Sequence, residues 1–345
     1  MLRRSRAGAD ATQGSSNRSR VGTPANGVAG PARRIAAVAA PSIATASPAE
    51  QRLLWPGLAL AVAGSIAFSG KAIIVKLAYR YGVDAVTLIM YRMLFALPLF
   101  VLLAWWSGRG KPGLARRDRW TILGLGFSGY YLASFLDFAG LQFVSAGFER
   151  LILYLNPTLV LALGVLLFGR KVSRRQLVAL AVSYLGVALV FGHELGAFGP
   201  DVVLGAGLVF ASAVSYAVYL VYSGEEVRRL GALRLTGWAT SVACLLCIAQ
   251  FVLLRPLSAL AVAPQVIWLS VLNATLCTFA PVLMMMMAIE RIGATMAAQT
   301  GMIGPLSTIA MGVLILGEPF TAWIAAGTLL VLAGIWLLAR SNVNG

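Results

Sequence analysis

The chain has 345 residues, of which 59% are hydrophobic and only 12% charged, with a mean hydropathy of +0.83. A soluble domain carries about 25% charged residues, so this composition excludes an ordinary water-exposed surface and makes lipid the expected solvent. The net charge of +16 does not mark a nucleic-acid binder, because the basic residues sit in a tail and in short links between apolar runs.

Residues 1–53 are rich in Arg, Ala, Ser, Gly and Pro, with only Asp10 and Glu50 acidic. They lack the apolar core of a signal peptide and read as a disordered basic cytoplasmic tail, an organelle transit peptide being the competing reading. Ten apolar spans follow, at 54–79, 85–106, 120–143, 146–168, 176–193, 201–223, 235–255, 264–289, 294–316 and 320–340. A span of about 20 apolar residues crosses the hydrocarbon core as a helix. Counted link by link, 22 of the 28 basic residues fall on one side of such a stack, which places both termini in the cytoplasm and agrees with an even span number.

The chain repeats itself. SAGFERLILYLNPTLVLALGVLLFGRKVS, from Ser145, aligns without a gap on GATMAAQTGMIGPLSTIAMGVLILGEPFT, from Gly293, a shift of 293 − 145 = 148. The shift pairs Pro157 with Pro305, Gly164 with Gly312, Gly169 with Gly317, Gly186 with Gly334 and Phe68 with Tyr216. Each half therefore holds five spans, and an odd number inverts the second half in the membrane. The expected fold is all-α: a polytopic membrane protein of ten transmembrane helices in two inverted five-helix repeats, 54–195 and 200–341. That architecture is common in secondary transporters, with the substrate site near the midplane.

Several motifs are discounted. GSIAFSGKA (64–72) imitates a phosphate-binding loop, but the glycine spacing is wrong, Ala72 follows Lys71 and no strand precedes it. Cys244 and Cys247 have a CxxC spacing inside an apolar run and read as small core residues. With His193 as the single histidine and no GxSxG, neither a metal site nor a hydrolase is expected, and no cofactor. Met284 to Met287 reads as adaptable packing.

The doubled motifs LILGEPFT, LLFGRKVS, ERIGATMAAQ and SAGFERLILYLNP, with the Lys76 and Arg92 arrangement, carry a resemblance over roughly residues 55 to 340. The chain resembles the EamA-type carriers of the drug/metabolite transporter superfamily. The resemblance implies ten helices around a central cavity, a small-molecule substrate, and export or import of amino acids, nucleosides or related metabolites. One departure is Gly169-Arg170, where the family often has Gly-Glu; Gly317-Glu318 keeps it.

Charges within spans mark the candidate site, since each costs about 2.5–3.5 kcal/mol at the bilayer centre. Lys71 lies nine residues before Arg80, about 13 Å along a helix, too deep to snorkel easily. Lys76 lies four before it and can reach the outer headgroups. Arg92, Asp137 and Glu149 fall at outer-half depths like that of Lys71. Lys71, Lys76, Arg92 and Arg150 against Asp137 and Glu149 leave an excess of 4 − 2 = +2, which hints at a carboxylate or phosphate on the substrate. Tyr216 and Tyr219 lie well inside the sixth span, and Asn156 and Gln299 mark breaks in the fourth and ninth.

The expected function is a secondary-active transporter of a small polar metabolite, working by alternating access in a bacterial inner membrane. Lys71, Arg92, Asp137, Glu149, Tyr216, Tyr219, Asn156 and Gln299 are the substrate-binding or coupling candidates. Protons are the candidate coupling ion, and a homodimer is a candidate assembly. The competing reading is a channel or a non-transporting membrane protein whose intramembrane charges are structural ion pairs.

Overall fold

The computed structural model describes residues 48–169, 172–301 and 303–343, excluding the side chains of 48–53, 168, 198, 225, 293–295, 298, 299 and 339–343. The expected tail thus lies outside the described residues as far as 47. Helix α1 (Pro48–Tyr79) begins six residues before the expected boundary at 54. Pro48 suits the first helical position, which needs no N–H donor, and Glu50 lies in the favourable first turn.

Eight described helical segments are long and apolar enough to cross a membrane, and two shorter apolar helices, Ile303–Leu316 and Ala322–Leu338, complete the series. Helix α2 (Ala85–Gly108) is capped by Asp84, which accepts from Val86 N and Thr87 N. Partial burial works against the Asp84 carboxylate, but the bonds from Thr87 and Arg255 prevail and hold it below its ordinary range. The third segment runs through α3 (Arg116–Leu125), a π-helical stretch Gly126–Leu132, and α4 (Ala133–Gly140). The fourth is broken: α5 (Ala146–Leu153) ends at a turn, and α6 (Asn156–Phe168) restarts with Pro157 in its first turn. Helix α7 (Arg174–Phe198) opens on a Ser173–Gln176 capping box.

The second half repeats the plan. Helices α8 (Asp201–Leu230) and α9 (Ala232–Leu254) lead to α10 (Pro264–Ala274), a second π-helical stretch Thr275–Phe279, and α11 (Ala280–Thr300). The chain then forms α12 (Ile303–Met311), a π-helical stretch Gly312–Leu316, and α13 (Ala322–Val343). The 148-residue shift carries the first π-helical stretch onto the second. It also pairs Gly169 with Gly317, which end their helices at φ 62° and 74°. Only glycine adopts that left-handed geometry without strain.

One expected boundary is different. A link was expected near residues 290–293, yet the backbone is helical from Ala280 through Thr300. The reversal is real nonetheless. A Cβ at Gly57 would meet Ile292, one at Gly64 would meet Met284, and one at Gly70 the Cys277 sulfur, so α1 opposes α10–α11. In contrast, Ser69 Oγ donates to Gly304 O and Arg80 Nη2 to Leu316 O, so α1 runs parallel to α12. The chain turns back between Ile292 and Gly304 while keeping helical hydrogen bonds almost throughout. Gly293 falls in the expected link, but no proline lies between Ile292 and Gly301, and the backbone stays helical where a loop was expected.

Between membrane helices, close packing substitutes for the hydrophobic drive. Helices α7 and α13 meet at Gly186, where an added Cβ would stand 2.7 Å from Gly327 O, and at Gly334, where it would stand 2.8 Å from Ala179 O. Residues 179 and 186 become 327 and 334 under the 148-residue shift, so the two contacts exchange. Rising numbers on one helix meet falling numbers on the other. The seam is antiparallel and maps onto itself, as about a two-fold axis lying across the helices.

Candidate functional site

Lys71, Asp137, Glu149 and Arg150 come together from α1, α4 and α5. Lys71 Nζ lies 2.5 Å from Asp137 Oδ2 and 3.4 Å from Glu149 Oε1. Arg150 Nε lies 3.9 Å from Glu149 Oε2 and donates to Thr308 Oγ1 at 3.1 Å on α12. The Phe68 ring, three residues before Lys71, faces both the Lys71 ammonium, at 5.8 Å, and the Arg150 guanidinium, at 5.3 Å. All four charged side chains are buried, Glu149 with 0% exposure. Two bases against two acids make the group neutral in sum.

Its hydrogen bonding is incomplete. Asp137 Oδ1 and both carboxylate oxygens of Glu149 are buried without a hydrogen-bond partner, because the contacts of Glu149 are ionic rather than bonded. Desolvating an ion costs several kcal/mol, repaid only where geometry is excellent and the lone pairs are satisfied. A cluster with three unbonded carboxylate oxygens is poorly built for stability. It is well built to accept a proton, a donor group or water.

Arg92 occupies an adjoining niche. Its Nε donates to Thr278 Oγ1 at 3.1 Å in the second π-helical stretch, and its Cζ lies 5.0 Å from the centroid of Phe138, the neighbour of Asp137. Its Nη1 is buried without a hydrogen-bond partner. Single π turns often occur at functional sites because they turn one residue's side chain out of helical register. Here Thr278 Oγ1 donates five residues back, to Asn273 O, and so faces Arg92. Cys244, Cys247 and Cys277 are buried free thiols, and Cys244 Sγ lies 3.6 Å from Met93 Sδ. No cluster with metal-ligating composition occurs among the described residues.

A second tier lies one to two turns closer to the α5 N-terminus. Snorkelling to the headgroups was one expectation for Lys76. Its Nζ donates to Val144 O at 2.6 Å, in the turn before α5, and lies 4.0 Å from Glu318 Oε1. Glu194 accepts from both the backbone N and the hydroxyl of Ser145, the N-cap of α5. With Glu194 and Glu318 included, four bases face four acids, and the +2 excess computed from in-span residues disappears. Glu194 was missed because it lies one residue beyond the expected end of the fifth span at 193, and Glu318 because it sits in a loop. The Gly317-Glu318 motif was the signal available for the latter.

The remaining candidates lie elsewhere. Tyr219 OH and Tyr130 OH are 3.1 Å apart, and Tyr216 stacks on Tyr219 with centroids 5.5 Å apart. Ser212 Oγ donates to Ala133 O and Ser215 Oγ to Ser128 O, so α8 passes the Asp137 level before reaching these tyrosines. Seven residues of helix beyond Ser212 put Tyr219 about 10 Å past the Ala133 level, and further still from that of Asp137. Asn156 Nδ2 donates to Leu153 O at 2.7 Å across the break between α5 and α6, leaving Oδ1 buried without a hydrogen-bond partner. Nearby, Tyr154 OH donates to Gly301 O at 2.8 Å. The Gln299 side chain lies outside the described residues.

Comparison with known proteins gives a consistent result. A family model described as the EamA-like transporter family matches residues 55–192 and again 203–340. A protein of Bacillus subtilis (strain 168) named uncharacterized transporter YcbK is 32% identical over 264 residues, covering 74% of this chain and 83% of that one. An uncharacterized transporter of Synechocystis sp., sll1319, is 24% identical over 269 residues, 74% of this chain and 80% of that one. One protein of known crystal structure, 18% identical, superposes with a TM-score of 0.57 over 83% of this chain and 98% of that one, which shows a shared fold.

Proposed function

We propose, for a chain that belongs to the EamA-like transporter family, that it is a secondary-active carrier of a small polar metabolite such as an amino acid or nucleoside. It is a multi-pass integral membrane protein in two repeats. In the proposed arrangement ten spans form two inverted halves, 54–195 and 200–341, in a bacterial inner membrane with both termini cytoplasmic and residues 1–53 as a basic tail. Lys71, Asp137, Glu149 and Arg150 form the central site, with Arg92 beside it.

The observation that carries this reading is the buried cluster with three carboxylate oxygens left without hydrogen bonds. Such groups persist where a ligand, water or proton completes them. Asp137 and Glu149 share one ammonium, so protonating either lets Lys71 close fully on the other. A substrate amine or hydroxyl competes for the same oxygens. That competition couples the substrate to a proton, and the broken segment α5–α6 with the π-helical stretches supplies the bends that alternating access needs.

The test is counterflow in proteoliposomes with substrates found by a metabolite screen of over-expressing and deletion cells. Trapped cold substrate should stimulate uptake of labelled substrate, and an imposed pH gradient should drive accumulation. Indifference to the gradient would remove the proton from the mechanism. The second reading, a channel or purely structural ion pairs, is favoured by the two-against-two neutrality of the cluster. It predicts no trans-stimulation.

A further inference from the structure

We propose that the loop 317–321 is a latch that seals the Lys71 cluster from the membrane face carrying Glu318, with the Glu318 carboxylate as its fastening. The proposal rests on the carrier reading and names the gate that alternating access at that site requires.

The loop joins the π-helical stretch Gly312–Leu316 to α13, and Glu318 ties it to the first repeat by polar contacts. Glu318 Oε1 accepts from Ala146 N at 2.9 Å, at the N-terminus of α5, and lies 4.0 Å from Lys76 Nζ on α1. Its Oε2 stands over Gly312, where an added Cβ would come within 2.8 Å, so the glycine makes room for the carboxylate. Glu318 N donates to Gly312 O at 3.0 Å, folding the loop back on its own helix. Beside it Arg80 Nη2 donates to Leu316 O at 2.7 Å. Glu194 of α7 holds the other side of the Ser145–Ala146 turn. Elements of both repeats thus converge on one carboxylate.

Its position suits a gate. Lys76 lies five residues beyond Lys71 on α1, and Glu149 lies three beyond Ala146 on α5, so the latch stands about 5–8 Å above the cluster. Below it Lys71 is 6% exposed and Thr308, the partner of Arg150, 0%. The fastening itself is partly wet, with side-chain exposures of 24% for Lys76 and 17% for Glu318. Partly exposed polar bonds contribute little individually. They can break and remake within a transport cycle, whereas the glycine-packed α7–α13 seam cannot. Gly317, at φ 74°, supplies the sharp bend at the base of the loop.

The experiment places Thr308→Cys in a chain whose Cys244, Cys247 and Cys277 are replaced by Ala. Labelling by a membrane-impermeant methanethiosulfonate is then timed from the Glu318 face in sealed vesicles. With Glu318 present the thiol should react slowly. Glu318→Ala should speed it about tenfold, the factor that goes with losing one or two bonds of this kind. Glu318→Gln keeps an acceptor for the Ala146 N–H and should fall between the two, which also covers an Ala variant that folds poorly. Equal rates in all three proteins would overturn the latch. Counterflow is read in the protein that keeps Thr308: faster labelling with no counterflow there would retain the latch and count against the carrier, and normal counterflow with unchanged labelling would do the reverse.

Discussion

Lys71 on α1 and Tyr219 on α8 occupy equivalent positions in the two repeats, 148 residues apart, and their surroundings correspond as well. Phe68 answers to Tyr216, and Thr278 in the second π-helical stretch answers to Tyr130 in the first. One pole has charges with unbonded oxygens; the other has phenols that bond and stack on one another. Gly129 reinforces the second pole, because a Cβ there would run into the Tyr219 ring. The same backbone thus carries one pole that is chemically open and one that is closed. The repeat specifies the scaffold, and the side chains at one site per half specify what the scaffold does.

The sharpest break of this contrast is Lys71→Ala. It leaves Asp137 and Glu149 buried side by side, and removing one partner of a buried pair costs about 3–5 kcal/mol. Counterflow should fall at least tenfold, far more than with Lys76→Ala, in protein whose membrane insertion is verified. Wild-type activity in both variants would sink the functional reading of Lys71. At the closed pole, Gly129→Ala should lower stability by about 1–3 kcal/mol through overpacking against Tyr219, read as a drop in the thermal midpoint in detergent. Transport per folded molecule should change much less.

Tyr219→Phe is smaller again. It removes one phenolic bond, about 1 kcal/mol, and should leave substrate affinity within a few-fold. A large loss of affinity would show that the closed pole binds substrate too. The least effect belongs to Asp84, outside both poles. Its carboxyl titrates below the ordinary 3.8 in the folded protein, so its contribution is present above that value and is lost as pH falls through the lower, folded one. Asp84→Asn, which can still cap α2, should abolish that part of the acid sensitivity and change the neutral-pH midpoint little.

The apolar periods exposed nearly all the segments in advance, because a span's length and polarity are local properties. The 148-residue repeat was equally plain from the shared Pro and Gly positions. Lys71, Asp137 and Glu149 were selected by depth alone, and the structure brings these three together. Arg92 adjoins them, while Tyr216 and Tyr219 belong to the opposite pole. Asn156 is occupied in spanning a helix break. Glu194 and Glu318 were not legible as neighbours of Lys76, since one ends a helix and the other sits in a loop 124 residues further on (318 − 194). Their meeting is a property of tertiary packing. The reversal itself was expected near 290–293; what the sequence did not show is that the backbone stays helical through it, with contacts to α1 marking where the chain turns back.

The seam between α7 and α13 constrains how these halves can diverge. Any side chain gained at Gly186 crowds a carbonyl on α13, and any gained at Gly334 crowds one on α7. A chain that arose by duplication can rewrite Lys71 as Tyr219 freely, because those residues never face their own copies. At the seam each copy is the other's template. That leaves two glycines and two carbonyl approaches as a single solution the gene must spell twice.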